Sequence, residues 1–281
     1  MLRILLPTDF SENSFNAIKY ALLAFKDTTC KFHLLHTYMP PIYQSEFVAG
    51  SPGQIGLGAS MKENVVSNLD KLQKSLENEH TTENHSFETH ACLNTLTGQI
   101  DEIVKDRKID VIIMGTKGAS GAKEILFGTH TVHILKNAKC PVIAIPPDFE
   151  YESPKAILFP TDYEVGFKKE PLKVLFKIIK QHNANIDVIN VSYAYKLSET
   201  QMENKGRLEK ALKNTPHEFH DLPNQDLTDA INKFQLAHKI DLLVMIKNKH
   251  TFVERLFIEP VIKKIGFHIK IPFMVIPDFQ D

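Results

Sequence analysis

The sequence carries RILLPTDF at residues 3–10 and repeats it as AILFPTDY at residues 156–163. Three further apolar segments recur in the same order, at separations of about 130–150 residues. They are KFHLLHTY (31–38) with IDVINVSY (186–193), IDVIIMG (109–115) with IDLLVMI (240–246), and CPVIAIP (140–146) with IPFMVIP (271–277). Four strand-like segments in one repeated order indicate a duplicated unit, and 281 residues suffice for two units of about 140 each.

Each half alternates short apolar runs with amphipathic segments, from a first strand to a fifth. Short apolar runs bounded by turn residues are typical of parallel strands that are covered on both faces. We therefore predict an α/β fold with two tandem doubly wound, Rossmann-like parallel sheets of five strands, with helices on both faces. The predicted buried helix faces are Phe15, Ile18, Leu22 and Phe25; Val65, Leu69, Leu72 and Leu76; and Leu172, Leu175, Phe176 and Ile179.

The boundary between the halves is predicted at PPDFEYESP, residues 146–154, a linker that contains proline and acidic residues. This gives a first domain at 1–148 and a second at 154–281. The halves differ after their second strands, where residues 39–60 form a long Pro/Gly/Ser-rich stretch and the second half has only a short joint around 194–198. Long connections are usually functional or disordered, so the stretch is either a lid over a site or an unstructured surface loop.

Charge and cysteine content exclude several classes of protein. The 33 basic and 34 acidic side chains leave a net charge of −1, which argues against a nucleic-acid-coating or polybasic membrane-binding surface. The three cysteines are far apart and form no CxxC pair, which favours a reducing compartment. The apolar run at the amino terminus is too short for a secretory signal, and no run is long enough for a membrane span. We predict a soluble, cytoplasmic protein.

Glycines cluster after the fourth strand of the first half. Gly115 ends that strand, Gly118 follows, and Gly128-Thr129 precedes an amphipathic run that can begin a helix. Glycine lets the backbone approach an anion closely, and the amino terminus of a helix favours negative charge. Ligands of open α/β sheets bind beyond the carboxyl ends of the strands, where the strand order reverses. The pattern therefore predicts a phosphate site, although the same glycines could mark only turns and a helix start.

The spacing G-x2-G-x9-G-[ST], met by Gly115, Gly118, Gly128 and Thr129, resembles the ATP-binding signature of the universal stress protein family. The PTD at 7–9, the LLHT at 34–37 and the closing CPVIAIP at 140–146 resemble that family as well. Because the similarity covers both halves, the chain looks like a tandem member. The resemblance implies the sheet order 3-2-1-4-5 and a pairing of last strands, which here could occur within one chain as a pseudo-dimer; a homodimer is left open.

The resemblance also implies roles for individual residues. Gly118, Gly128 and Thr129 would hold phosphates, Gly115 would lie near the ribose, and Asp9 with Thr37 would border adenine and ribose. Independently of the resemblance, the position of Lys117 and Lys123 in the glycine loop predicts that they either neutralise phosphate charge or are simply solvated. His130 would approach a phosphate from the helix start, and Glu124 would help to hold Mg²⁺, cap a helix or be solvated. The full predicted set is Pro7, Thr8, Asp9, Thr37, Met114, Gly115, Gly118, Lys123, Gly128, Thr129 and His130.

The second half departs from this pattern at every phosphate position. Ile246 and Lys249 replace the first two glycines, and Ile258-Glu259 replaces the Gly-Thr pair. Side chains would block each close approach, and the carboxylate of Glu259 would repel a phosphate. The second half nevertheless keeps PTD at 160–162. The PTD motif is therefore either a nucleotide contact or a structural strand exit with a helix cap.

Histidines do not predict a metal site. The close pairs are 33/36, 130/133 and 217/220. The first pair lies on a strand, where residues three apart point to opposite faces, and the second pair could share a helix face but has no Cys, Asp or Glu to complete a recognisable set. We interpret these histidines as surface or core residues.

The sequence favours an adenine-nucleotide-binding protein with a stress-response or regulatory role. It predicts one site for ATP, or for AMP or ADP, in the first half, and a protein partner of unknown identity. Two alternatives remain open: a slow ATPase or nucleotidyl-transfer enzyme that uses the same cleft, and a scaffold with a vestigial pocket. Hydrolysis needs a positioned water, a metal and charge stabilisation, and no general base or arginine stands near the glycines.

Overall fold

A computed structural model describes residues 1–39, 54–80, 82–116, 127–167, 169–192, 196–223, 227–247 and 270–278. The first half contains β1 (Leu2–Pro7), α1 (Glu12–Ala24), β2 (Cys30–Tyr38), α2 (Gln54–Glu79), β3 (His85–Leu93), α3 (Leu96–Asp106), β4 (Val111–Gly115), α4 (Thr129–Asn137) and β5 (Val142–Ile145). The second half contains β6 (Ala156–Thr161), α5 (Lys169–His182), β7 (Asn185–Ser192), α6 (Glu199–Leu212), β8 (His217–Pro223), α7 (Leu227–Ala237), β9 (Leu242–Lys247) and β10 (Phe273–Pro277).

The ten strands form one sheet in the order β3-β2-β1-β4-β5-β10-β9-β6-β7-β8. The predicted order 3-2-1-4-5 is confirmed for the first half, and the same order recurs in the second as β8-β7-β6-β9-β10. Strands pair in parallel within each half, and β5 pairs with β10 antiparallel, with Ile143 opposite Met274. The two predicted five-stranded sheets are therefore the halves of one continuous sheet.

Apolar strands and helix faces produce two cores, one on each side of this sheet. All five residues of β4 are buried, as expected for a central strand covered on both faces. The predicted face of α2 is buried throughout, and that of α5 is buried apart from the partly buried Phe176. None of the helices in the described ranges combines the length and apolar character that crossing a lipid bilayer requires.

One residue of the predicted α1 face is wrongly assigned. Phe15 is 40% exposed, whereas Ile18, Leu22 and Phe25 are buried. Phe15 lies outside the buried face of α1, whose members are Ser14, Ala17, Ile18, Tyr20, Ala21, Leu22 and Ala24.

The connection after β2 is shorter than predicted. Helix α2 begins at Gln54, so residues 54–60 belong to a helix and not to a loop. Two glycines of the stretch predicted as a loop, Gly56 and Gly58, lie in the first turns of α2. Residues 40–53 lie outside the described residues, and the choice between a lid and a surface loop concerns those residues alone.

The register of the sheet corrects the matching of the second strands. Arg3 pairs with Lys31, and its counterpart Ala156 pairs with Asn185, so the equivalence is shifted by one residue from the match of KFHLLHTY with IDVINVSY. His36 therefore corresponds to Asn190. Both make the same bond, since His36 Nδ1 lies 2.7 Å from the carbonyl of Thr8 and Asn190 Nδ2 donates to the carbonyl of Thr161 at 2.9 Å.

The linker between the halves packs on α1. Rings of Phe149 and Tyr151 contact Tyr20, with centroids 6.1 and 5.5 Å apart, and Asn16 Nδ2 donates to the carbonyl of Phe149 at 2.8 Å. The carboxyl ends of α1 and α5 also meet, because Gln181 Nε2 donates to the carbonyl of Ala24 at 2.9 Å. The halves are thus joined both through the sheet and on its surface.

Candidate functional site

The candidate site lies where β1 and β4 end side by side. Ile4 pairs with Val111 and Leu5 with Ile112, so the two parallel strands finish at the same edge of the sheet. Helix α1 follows β1, and α4 follows β4. The strand order reverses between these two strands, which makes this edge the switch point at which open α/β sheets bind ligands.

The PTD motif builds a tight turn at the end of β1. Thr8 Oγ1 accepts a bond from the N–H of Phe10 at 3.0 Å, and Asp9 Oδ1 accepts bonds from Ser11 N–H at 3.1 Å and Ser11 Oγ at 2.5 Å. Phe10 adopts the left-handed conformation with φ 60°. These bonds place the exposed Asp9 at the rim of the cleft and set Ser11 to cap α1.

The same turn follows β6 in the second half. Tyr163 N–H donates to Thr161 Oγ1 and Glu164 N–H donates to Asp162 Oδ1, each at 3.0 Å, and Tyr163 has φ 57°. The structure therefore gives the PTD motif a turn-forming role in both halves. A contact of Asp9 with a nucleotide would be additional to this role.

Gly115 closes β4 against the first turn of α1. A Cβ at Gly115 would lie 2.5 Å from Asn13 Nδ2 and 3.1 Å from the carbonyl oxygen of Asn13. Its neighbour Met114 is buried in the core below the cleft. Gly115 is thus needed for the close approach of α1, a role that the sequence interpretation did not include.

The second half shows the opposite distribution of volume. Ile246 replaces Gly115, and Gly166, six residues after Pro160, takes the position that Asn13 holds six residues after Pro7. Gly166 and Ile246 line the same small cavity. In the first half the larger residue, Asn13, follows β1 and the glycine, Gly115, ends β4. In the second half the glycine, Gly166, follows β6 and the larger residue, Ile246, lies near the end of β9.

Helix α4 begins directly behind the end of β4. Gly128 is its N-cap residue, and the N–H of Gly128 donates to the carbonyl of Thr116 at 2.6 Å. Thr131 Oγ1 lies 3.1 Å from the carbonyl of Gly115 and 3.3 Å from that of Thr116. These bonds fix the start of the helix against the end of the strand.

Gly128, the N-cap residue of α4, supplies no side-chain cap, and among the described residues no bond from a side chain to this terminus is seen. Ser11, Thr95 and Ser198 each accept a backbone N–H at the start of α1, α3 and α6, whereas Gly128 makes no such bond at α4. Thr129 and His130, the first helical residues, are exposed. The φ of −62° and ψ of 153° at Gly128 are open to any residue, so the glycine provides space in front of the helix rather than a special conformation. This terminus suits an anion.

A buried hydroxyl adjoins this terminus. Thr116 is 2% exposed, and its Oγ1 has no hydrogen-bond partner in the part of the chain that the structure describes. Buried polar atoms are usually satisfied, and leaving one unsatisfied costs about 1–3 kcal/mol.

The structure brings most of the predicted site residues to this edge. Thr37, half-buried near the end of β2, follows His36, whose ring stacks on Phe10 with centroids 4.7 Å apart and also contacts the carbonyl of Thr8. Four residues at the edge escaped the sequence interpretation, namely Asn13, His36, Thr116 and Thr131. Asn13 could have been found from the sequence, because the second half replaces Asn13 by glycine where it also replaces Gly115 by isoleucine. Gly118, Lys117, Lys123, Glu124, Lys249, Ile258 and Glu259 lie outside the described residues.

The universal stress protein family matches residues 1–146 of the 281-residue chain. The chain belongs to the universal stress protein family. Two universal stress proteins of Methanocaldococcus jannaschii are 30% identical to it, one over 146 residues (51% of this chain, 81% of that protein) and one over 154 residues (51% and 93%). The crystal structure of a universal stress protein from Archaeoglobus fulgidus covers 98% of both chains, with a TM-score of 0.68 at 18% identity, so that likeness concerns the fold.

Away from the cleft, this universal stress protein contains a buried histidine network. His33 of β2 is 1% exposed, and its Nδ1 lies 3.0 Å from Nε2 of His90 on β3. Glu88 lies beside both rings and is held by Lys31 at 2.6 Å and Arg107 at 3.2 Å. Burial lowers the pKa of His33 from 6.5 to about 4, although the Glu88 carboxylate opposes the shift. His33 is therefore a neutral core residue at pH 7.

We expect the buried His33 to destabilise the fold at acidic pH. Because its pKa is lower in the folded chain than the ordinary 6.5, the unfolded chain takes up a proton first, and stability is lost as the pH falls from about 6.5 to about 4. The full contribution is on the order of 3 kcal/mol. Urea unfolding across this pH range should show that the free energy of unfolding falls less steeply in His33→Asn than in the wild type. Equal slopes in His33→Asn and the wild type would contradict the assignment.

Proposed function

We propose that the first half of this universal stress protein binds one adenine nucleotide, with ATP as the principal candidate. The amino terminus of α4, which begins at Gly128 without a side-chain cap from that residue and is fixed beside the end of β4, is the observation that carries the proposal. A polyphosphate placed there would accept bonds from the N–H groups of the first turn, at Thr129 and His130. Charge-assisted bonds contribute about 1.5–3 kcal/mol each, so three or four suffice for micromolar affinity.

The other predicted residues complete this proposed site. Gly118 and Lys123 would approach the phosphates from the glycine loop, and Gly115 would lie near the ribose. Asp9 and Thr37 would border adenine and ribose, and the buried Pro7 and Thr8 would hold the turn that presents Asp9. Mg²⁺ would accompany a triphosphate and balance part of its charge.

We infer that the second half, residues 154–281, lacks such a site, while residues 1–148 form the nucleotide-binding domain. The Ile246 side chain occupies the end of β9 where Gly115 ends β4. Glu259 would add a carboxylate at the expected phosphate position. Occupancy of one half would then change a surface that a protein partner recognises, which suits a regulatory role better than catalysis.

Identification of the nucleotide that accompanies the purified protein tests this function. Protein purified without added nucleotide is denatured, and the released small molecules are separated by anion-exchange chromatography. We expect an adenine nucleotide in a ratio that does not exceed one per chain. If the protein carries none and ATP at millimolar concentration gives no thermal stabilisation, the proposed function is wrong.

Asp9 and Asp162 allow the turn-forming role to be separated from nucleotide contact. Each accepts a backbone bond in the same turn, so alanine at either position should lower stability by about 1 kcal/mol. Only Asp9→Ala is expected to weaken ATP binding, by roughly tenfold, because only the first half holds the nucleotide. Titration calorimetry on both variants provides the comparison. Equal ATP affinity in both would restrict Asp9 to the turn.

A further inference from the structure

The sheet register reveals a second pair of equivalent positions, on β2 and β3 in one half and on β7 and β8 in the other. His33 faces Glu88 across its strand pair, and Asp187 faces Glu218 across the corresponding pair. Two residues further along, His90 corresponds to His220. All three positions therefore hold metal-ligand residue types in both halves, and in each half the ligand atoms lie within 4.8 Å of one another. Sequence spacing hid both groups because each is drawn from two strands.

The surroundings of the two groups differ in charge. In the first half Lys31 and Arg107 form ion pairs with Glu88. Their counterparts in the second half are Asn185, by sheet register, and His238, which immediately precedes the repeated Lys-Ile-Asp. His238 stacks on Phe234 of α7, with centroids 4.5 Å apart. The group in the second half therefore has no counterpart of the Lys31 and Arg107 cations, and it has a second carboxylate, Asp187, in place of His33.

The three side chains of the second half have suitable geometry for a small cation. Nε2 of His220 lies 3.0 Å from Oδ1 of Asp187 and 3.9 Å from Oε2 of Glu218. Ligand atoms around a tetrahedral zinc ion lie about 3.3 Å apart, since each bond is about 2.0–2.2 Å long. Strand pairing fixes Asp187 and a ring contact with Phe234 at 5.1 Å orients His220, while the side chain of Glu218, 71% exposed, can adjust.

Charge also favours a cation at this position. Asp187 and Glu218 bring two carboxylates together, and within the described ranges their side-chain ion-pair contacts are with His220. Asp187, with a side chain only 13% exposed, is shielded from solvent far more than Glu218. A divalent cation would compensate both carboxylates at once.

We propose that Asp187, Glu218 and His220 bind a divalent cation of the zinc type, with solvent as the fourth ligand. One imidazole and two carboxylates form a nitrogen-oxygen donor set that zinc accepts in tetrahedral geometry. The exposed side of Glu218 leaves the fourth position open to water. The first half keeps the same arrangement in a form neutralised by Lys31 and Arg107. The duplicated fold thus carries a nucleotide site in one half and a metal site in the other.

Calorimetric titration of the chelator-treated full-length chain with zinc chloride tests the site. We expect one Zn²⁺ per chain, with affinity reduced about tenfold or more in Asp187→Asn and in His220→Gln. Asn185→Lys installs the lysine of the first half without removing a ligand, and should weaken binding as well. Glu88→Gln, the matched change in the first half, should bind Zn²⁺ like the wild type.

Thermal unfolding of each metal-free variant shows whether it is folded. If Asp187→Asn or His220→Gln is unfolded, the Zn²⁺ affinity of Asn185→Lys tests the site instead. Wild-type affinity in Asp187→Asn, His220→Gln and Asn185→Lys would overturn the proposal. So would a loss of affinity in Glu88→Gln, or the absence of Zn²⁺ binding by the wild-type chain at millimolar metal.

Discussion

Gly128→Glu is expected to abolish ATP binding by the first half while leaving the fold intact. Gly128 is the N-cap residue of α4, and its φ of −62° and ψ of 153° are open to glutamate. The new carboxylate would lie at the position proposed for the phosphates. Two like charges 4 Å apart repel by roughly 4 kcal/mol at an effective dielectric constant of about 20. We therefore expect affinity to fall about a hundredfold or more in titration calorimetry.

Gly128→Gln is the matched control for this variant, because glutamine has the size of glutamate without its charge. It should bind ATP more weakly than the wild type but more tightly than Gly128→Glu. Unfolding temperatures without nucleotide should agree among the three proteins. Wild-type ATP affinity in Gly128→Glu would mean that the start of α4 does not hold the phosphates.

Gly115→Ile is expected to destabilise the chain by about 3 kcal/mol, as overpacking at a buried strand end typically costs 1–3 kcal/mol or more. The added Cβ alone would lie 2.5 Å from Nδ2 and 2.8 Å from Cγ of Asn13. Replacing Asn13 by glycine as well should recover at least half of that loss, since the second half accommodates Ile246 beside Gly166. Urea unfolding of both single variants and the double variant measures the coupling.

Asn13→Gly alone should cost about 1 kcal/mol, because glycine weakens a helix. The double variant should therefore be more stable than Gly115→Ile but less stable than the wild type. If the destabilisation by the double variant equals the sum of the two single destabilisations, removing the side chain at position 13 does not make room for isoleucine at 115. The explanation that Gly166 makes room for Ile246 in the second half would then be wrong. ATP binding should be lost in both proteins that carry isoleucine at 115.

Hydrophobic pattern alone was sufficient for much of the fold. Runs such as VIIMG at β4 are typical of strands that are buried on both faces of a sheet covered by helices, and their repetition predicted the duplication, whereas the strand order was implied by the family resemblance. The pattern could not set the register of β7, because a shift by one residue leaves the segment equally apolar. It also placed residues 54–60 in a loop, since their glycines are typical of turns although α2 begins there.

The sequence predicted the part of the candidate site that local backbone conformation determines. It did not predict contacts between residues that are far apart in the chain. Glycine at 128 and a following amphipathic run suffice to indicate a helix start, and the structure places that start at Gly128. The contact of Gly115 with Asn13 joins residues about a hundred positions apart in sequence, which spacing does not reveal. The same holds for Asp187 and His220, which meet only because β7 and β8 are paired.

Titration of the nucleotide-free wild-type chain with ATP tests the central claim most directly. Calorimetry should give one binding site per chain, assigned to the first half by its loss in Gly128→Glu. Two equivalent sites per chain would show that the second half also binds ATP despite Ile246 and Glu259. The absence of any heat change at millimolar ATP would contradict a nucleotide site at α4 altogether.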